Sequence, residues 1–203
     1  MTWVKVCGLT SYEAVAAAID GGADAIGLVL APGSPREITV ERATALASNV
    51  TVATFIVTVG LRPGETLALA EQVGATGIQA HGDWALDVAA EAAEAGYLSL
   101  VPVPVDKDGP TFPVSEVPET SIPLFDTSFR SLHGGTGIAF DWSLVSDPGR
   151  PFILAGGLGT ENVARAISMV RPFGVDASSN LESEPGIKDL SRIADFIREA
   201  KQA

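Results

Sequence analysis

One cysteine, two histidines and two methionines are all that 203 residues hold of the soft, redox-active or metal-seeking side chains. A lone thiol closes no disulfide within the chain, and the cysteine and histidines show no ligand spacing, so neither a disulfide framework nor a metal is expected. Positive charge is scarce too: 13 Lys and Arg against 25 Asp and Glu leave a net charge of −12. Phosphate backbones need a basic face, and none is visible, which argues against a nucleic-acid partner. An anionic small molecule must then be held locally, by helix N-termini and one or two arginines acting within a Debye length of ~8 Å. The mean hydropathy is positive at +0.28, yet no apolar run nears the ~20 residues of a membrane span. The first residues lack the basic-then-apolar pattern of a secretion signal, so a reducing cytoplasm is the expected location. Tyr12, Trp84 and Trp142 do not interleave with basic residues and read as packing groups.

What the chain does contain is 46% hydrophobic residues and 21 glycines, suited to tight turns around a buried sheet. Its length fits one domain, residues 1–203, able to bury a core without staples. Short β-branched runs alternate with helical periodicity. Strands are expected at Trp3–Val6, Ala25–Leu30, Val52–Val57, Gly77–Ala80, Leu98–Val103, Ile122–Phe125, Phe152–Leu154 and Gly174–Ala177. Helices are expected at Tyr12–Asp20, Val40–Ala47, Pro63–Gln72, Ala85–Ala95, Glu161–Met169 and Leu190–Ala200. Eight strands close a barrel, so the expected fold is a single (β/α)8 TIM barrel, trimmed from the usual ~250 residues. Its helices after strands 5 and 6 must be shortened, because prolines crowd Asp106 to Pro118 and Asp141 to Ser146 spans little more than a turn. An open doubly wound sheet is the alternative, but no Gly-x-Gly-x-x-Gly follows the first strand.

In a parallel α/β fold, chemistry gathers at the C-terminal ends of the strands. The run Val4-Lys5-Val6-Cys7-Gly8 delivers the only thiol to such an end. A lone cysteine is more often a small buried residue, and its position is what argues otherwise. Asp126 closes the run Ile122-Pro123-Leu124-Phe125, and strand parity puts it on the inner face with Leu124, as Cys7 shares a face with Lys5. Thiol and carboxyl can therefore flank one ligand, although Asp126 alone would read as a turn cap. Three glycine-rich strand ends, Gly135-Thr136-Gly137, Gly156-Gly157 and the Ser178-Ser179 pair after Gly174-Val175-Asp176-Ala177, offer peptide N–H groups to a phosphate. Arg36, in the stiff loop Pro32-Gly33-Ser34-Pro35, can grip a carboxylate bidentately or simply pair with Glu37 or Glu41. Gln79 and His81 end strand four, where a wall of the site would stand, with His81 reading first as a turn residue. Lys5, one layer below Cys7, reads as an interior ion-pair partner of Asp126 or Asp176.

Taken together, Lys5-Val6-Cys7-Gly8-Leu9-Thr10, Ser34-Pro35-Arg36, Gln79-Ala80-His81-Gly82, Phe125-Asp126, Gly135-Thr136-Gly137, Ala155-Gly156-Gly157-Leu158, Val175-Asp176 with Ser178-Ser179, and Pro185-Gly186-Ile187-Lys188-Asp189 resemble phosphoribosylanthranilate isomerase, the barrel family of tryptophan biosynthesis. The resemblance implies a cofactor-independent Amadori rearrangement of a small phosphorylated substrate by a monomer or homodimer. It maps the general base onto Cys7, the general acid onto Asp126 and the anthranilate-carboxylate anchor onto Arg36. Gln79, His81 and Asp176 would contact substrate, and Gly135, Thr136, Gly137, Gly156, Gly157, Ser178 and Ser179 would hold its phosphate. A helix N-terminus or Lys5 would be expected to favour the Cys7 thiolate. The chain departs from the family pattern at Asn180, Ala80, Thr58, His133 and the Phe112–Thr120 segment. The rivals are the histidine-pathway isomerase, a bifunctional enzyme, or a non-catalytic phosphate-binding barrel. The histidine-pathway enzyme resembles this chain in fold but carries aspartate where Cys7 stands, and it has a second phosphate site.

Overall fold

The computed structural model describes residues 1–127 and 140–203. Eight parallel strands, β1 (Trp3–Cys7), β2 (Ala25–Val29), β3 (Ala53–Val59), β4 (Gly77–His81), β5 (Leu98–Asp106), β6 (Ile122–Thr127), β7 (Ile153–Leu154) and β8 (Gly174–Ala177), pair in chain order. The register Trp3↔Gly174 between β1 and β8 closes the ring. The barrel predicted from the eight runs is therefore formed.

Among the described residues six helices lie on the strands: α1 (Tyr12–Asp20), α2 (Val40–Ala47), α3 (Pro63–Val73), α4 (Ala85–Glu94), α5 (Val163–Val170) and α6 (Leu190–Gln202). Their starts follow local chemistry. Ser11 accepts a hydrogen bond from the Ala14 N–H, Thr39 from Arg42 and Asp189 from Ser191 and Arg192, while Pro63 opens α3 where no N–H is needed. After β5 and β6 the described residues carry only 3-10 turns, Val114–Glu116 and Trp142–Val145, as the prolines and the short interval predicted. The Arg150 guanidinium ties down the connection between them, donating to the carbonyls of Val117, Pro118, Glu119 and Ser121 at 2.6 to 3.3 Å.

Two boundaries differ in an instructive way. β5 runs three residues beyond its expected end because it pairs with β6 as far as Val105↔Thr127 and then turns back through Gly109. α5 begins at Val163 rather than Glu161, since the Asn162 side chain is spent on the preceding loop, accepting from Gly159 N–H and donating to the Gly157 carbonyl.

Most of the core lies between barrel and helices. Inside the barrel the side chains stack in levels. Phe55, Leu100, Leu124 and Ile153 fill the floor, Lys5, Gln79 and Asp176 make a polar middle, and Cys7 with Val29 and Val57 lies above. Alternation along β1 alone places Trp3, Lys5 and Cys7 one in each level.

Candidate active site

The middle level is built around one buried cation. Lys5 is fully enclosed, and its ammonium donates to Asp176 Oδ2 at 3.0 Å and to Gln79 Oε1 at 2.9 Å. Of the two ion-pair partners the sequence offered, the structure selects Asp176, its register partner on β8. The second Asp176 oxygen, Oδ1, is buried without a hydrogen-bond partner among the described residues. Burial works against the Lys5 charge, but Asp176 and Cys7 beside it outweigh that and raise its pKa.

The Lys5 contact also fixes a tautomer. Because Gln79 Oε1 accepts from Lys5, the group 3.0 Å from His81 Nε2 is the amide Nε2, a donor, so His81 Nε2 is the acceptor and the proton sits on Nδ1. Burial, then Lys5, lowers the His81 pKa to about 4, so the ring is neutral at ordinary pH. His81 is thus joined to the middle level through Gln79.

Above Lys5, Cys7 sits with 7% of its surface exposed. Gly27 makes room for it on the adjacent strand: a Cβ there would lie 2.8 Å from the sulfur. Contrary to the expectation of a thiol acidified by Lys5, burial pushes the Cys7 pKa above its ordinary 9.0. Lys5 and Lys188 pull it down, but desolvation, with Asp176 adding to it, prevails.

Asp126 ends β6 on the inner face, its Oδ1 accepting the Thr127 N–H at 2.7 Å. Burial, reinforced by the like charge of Asp176, pushes its pKa up to about 6, against the opposing effects of Thr127 N–H and Lys5. A carboxyl with that pKa exists partly as the acid near neutrality.

The glycine loop after β7 turns through Gly156 and Gly157 at φ of 78° and 69°. Asn162 and Asn180 both donate to the Gly157 carbonyl, at 2.9 and 2.8 Å, and brace the loop. Asn180 lies in the 3-10 turn Ser179–Leu181, so it stands there as a hydrogen-bond donor without needing positive φ. Ser178 opens that turn and donates to the Cys7 carbonyl at 3.1 Å, coupling the end of β8 to the end of β1. Gly135, Thr136 and Gly137 lie outside the described residues, as does His133. Thr58, fully buried on β3, has an unpartnered hydroxyl among the described residues. Ala80 lies in the core, and the Phe112–Thr120 segment carries the first 3-10 turn, with Val117 buried beneath it.

Arg36 departs from its expectation of a freely offered guanidinium. Its Nε and Nη2 each donate to Glu182 at 2.7 Å, rather than to Glu37 or Glu41. Glu182 also accepts from Lys188 at 2.7 Å. Glu182 was not singled out from the sequence, and Lys188 appeared only within the Pro185-to-Asp189 motif, with no role assigned. The available signal was a Pro185-Gly186 turn with Glu182 three residues before it and Lys188 two after, which a register shift brings opposite each other in the hairpin of Glu182–Glu184 and Ile187–Lys188.

A family model described as N-(5'phosphoribosyl)anthranilate (PRA) isomerase matches residues 4–199. The N-(5'-phosphoribosyl)anthranilate isomerase of Halorhodospira halophila is 40% identical over 205 residues, covering 99% of this chain and 97% of that protein. That of Rubrobacter xylanophilus is 37% identical, covering 99% and 100%. Among solved structures, phosphoribosyl anthranilate isomerase from Thermotoga maritima superimposes with a TM-score of 0.86 at 35% identity over the whole of both chains. A phosphoribosyl anthranilate isomerase solved in complex with reduced 1-(o-carboxyphenylamino)-1-deoxyribulose 5-phosphate superimposes at 0.83 and 33% identity, again over both entire chains.

Proposed function

This chain belongs to the N-(5'-phosphoribosyl)anthranilate isomerase family, and we propose that Cys7 and Asp126 are the proton-transfer pair of its reaction. The reaction is the Amadori rearrangement of N-(5'-phosphoribosyl)anthranilate to 1-(2-carboxyphenylamino)-1-deoxyribulose 5-phosphate in tryptophan biosynthesis. The observation that carries the residue assignment is a carboxyl at the end of β6 with its pKa pushed to about 6. Such a group can give a proton at a pH where an ordinary aspartate cannot.

Asp126 protonates the furanose ring oxygen, the C1–O bond breaks, and the anthranilate nitrogen becomes an iminium. That iminium acidifies the C2 hydrogen. Cys7, as thiolate, removes it, and the electron pair moves to give the enolamine. Loss of the C2 hydroxyl proton and gain of one at C1 complete the ketone, with C2 oxidised and C1 reduced inside one molecule. No external oxidant or reductant enters the balance.

The remaining residues bind. Gly156, Gly157, Ser178 and Ser179, with Gly135, Thr136 and Gly137, hold the phosphate through peptide N–H and hydroxyl groups, as the acidic net charge requires. Asp176 Oδ1, buried and without a partner among the described residues, accepts a sugar hydroxyl. Gln79 and neutral His81 form the wall beside it, and Arg36 takes the ring carboxylate. A soluble phosphorylated substrate fits a cytoplasmic enzyme acting as monomer or homodimer. Among the described residues no helix is long and apolar enough to cross a membrane.

The test follows loss of substrate fluorescence in Cys7→Ala and Asp126→Asn. Each should fold and lose at least ~100-fold in kcat, the scale of removing a general base or acid. A folded Cys7→Ala variant with wild-type kcat would remove Cys7 from the mechanism.

A further inference from the structure

A guanidinium has two edges on which a carboxylate can dock through two parallel hydrogen bonds, Nε with Nη2 and Nη1 with Nη2. Glu182 occupies the first edge of Arg36. Among the described residues Nη1 has no acceptor. The Arg36 side chain keeps 18% of its surface exposed, in a cleft of about 260 Å³ lined in part by Pro35, Ser179, Glu182 and Pro185. The second edge is therefore open.

Glu182 is itself immobilised. Lys188 donates to its Oε1 at 2.7 Å and the Gly186 N–H to its Oε2 at 3.2 Å. Lys188 also donates to the Ser178 carbonyl at 2.9 Å, and Thr10 Oγ1 holds the Gly186 carbonyl at 3.1 Å. Gly186, at φ 84°, packs so closely on the Pro35 carbonyl that a Cβ would collide with it, so the hairpin seats directly on the loop that carries Arg36. Glu182 and Lys188 side chains are 4% and 1% exposed. Two cations around Glu182 leave this hydrogen-bonded cluster with a net positive charge that offsets the Glu184 carboxylate also lining the cleft, whereas Arg36 and Glu182 alone would be neutral.

Resting on the reading of Arg36 as the anchor for the substrate's ring carboxylate, we propose that Glu182 and Lys188 are its positioning residues. Glu182 fixes the guanidinium so that the Nη1–Nη2 edge faces the cleft, and Lys188 preserves the positive charge that an incoming carboxylate needs. Orientation and bulk charge make opposite forecasts here. Glu182→Gln adds positive charge, so charge alone would tighten carboxylate binding, while lost orientation weakens it.

The experiment is calorimetric binding of two probes: the reduced rearrangement product with its ring carboxylate, and the same compound built on aniline, which lacks it. Glu182→Gln should weaken the carboxylated probe by ~10-fold or more, the scale of a charge-assisted bidentate contact, and leave the aniline probe within about twofold, while Lys188→Met, which also frees the Ser178 carbonyl, should weaken the carboxylated probe more than the aniline one. In turnover KM should rise more than kcat falls. In an Arg36→Met background, Glu182→Gln should add nothing further, because the residues act as one unit. Unchanged or tightened binding of the carboxylated probe in Glu182→Gln, with Arg36→Met still weakening it, overturns the positioning role alone. If Arg36→Met still discriminates between the probes as well as wild type does, the anchor reading fails and takes this one with it. Should Glu182→Gln not fold, Glu182→Asp keeps the charge but falls short of Nε and Nη2. It should show the same selective weakening, and wild-type affinity there overturns the proposal.

Discussion

Lowering the pH should reduce kcat/KM with a midpoint near 6 that belongs to the proposed acid, Asp126, and not to the proposed base, Cys7. Asp126 has a pKa of about 6, whereas the Cys7 thiol lies above 9.0, so the base holds its proton more tightly than the acid does. The productive form, thiolate with protonated carboxyl, is then a minority at every pH. Below about pH 6 the carboxyl is already protonated, and the thiolate fraction falls tenfold per pH unit, so the rate falls. Between about 6 and the thiol pKa, gain of thiolate is cancelled by loss of acid, giving a plateau. On that plateau the productive fraction is the ratio of the two acid constants, small and independent of pH. The assay is kcat/KM, which reports the groups of the free enzyme, read against a separate titration of the free substrate's phosphate, which also ionises near ~6. The chain's single cysteine allows the base to be titrated separately, as the ultraviolet thiolate absorbance lost in Cys7→Ala. A thiolate forming with a midpoint near 6, coincident with the kinetic limb, would refute the reasoning, because the limb would then report Cys7 in the ordinary order.

Asp126→Asn should stabilise the fold at neutral pH while abolishing the acid. A folded-state pKa raised from 3.8 to about 6 means that folding loses stability as pH rises across that window. The ceiling is near ~3 kcal/mol, and water at the partly open carboxyl brings the expected gain to about 1–2 kcal/mol in urea melts, vanishing below about pH 4. Gly27→Ala would place a methyl 2.8 Å from the Cys7 sulfur and displace the thiol, so kcat should fall more than Tm; equal, small effects on both would show that thiol placement is slack. Inorganic phosphate should compete with substrate, and Gly157→Val should weaken that competition although no charge changes; unaltered competition would place the phosphate elsewhere. Arg150→Met should cost about 2–4 kcal/mol in the same melts, since four carbonyls lose a charged donor, with kcat nearly intact.

The spans of α1, α2 and β8 were legible because a cap or a turn residue marks their ends in the sequence itself. The end of β5 was not, because pairing with β6 decides it, and pairing is a property of two segments. Strand parity was enough to put Cys7, Lys5 and Asp126 on the inner face. It could not show which way the Cys7 pKa moves, since desolvation depends on how much of the barrel closes over the sulfur. Arg36 was found by its stiff loop, but its partner Glu182 lies 146 residues away, beyond any local pattern.

The 3-10 turns after β5 and β6 give the barrel two unequal halves. Strands β1 to β4 lie under four regular helices, while among the described residues β5 and β6 are followed only by those turns and by the Arg150 clasp. Local opening is least costly where fewest packed elements must part, so amide hydrogen exchange should divide the ring into a slow side and a fast side. Cys7 stands on the slow side and Asp126 on the fast one. On this expectation the proposed base and the proposed acid stand on walls of unequal stiffness, and a ligand bridging them would show its grip first as slowed exchange along β6.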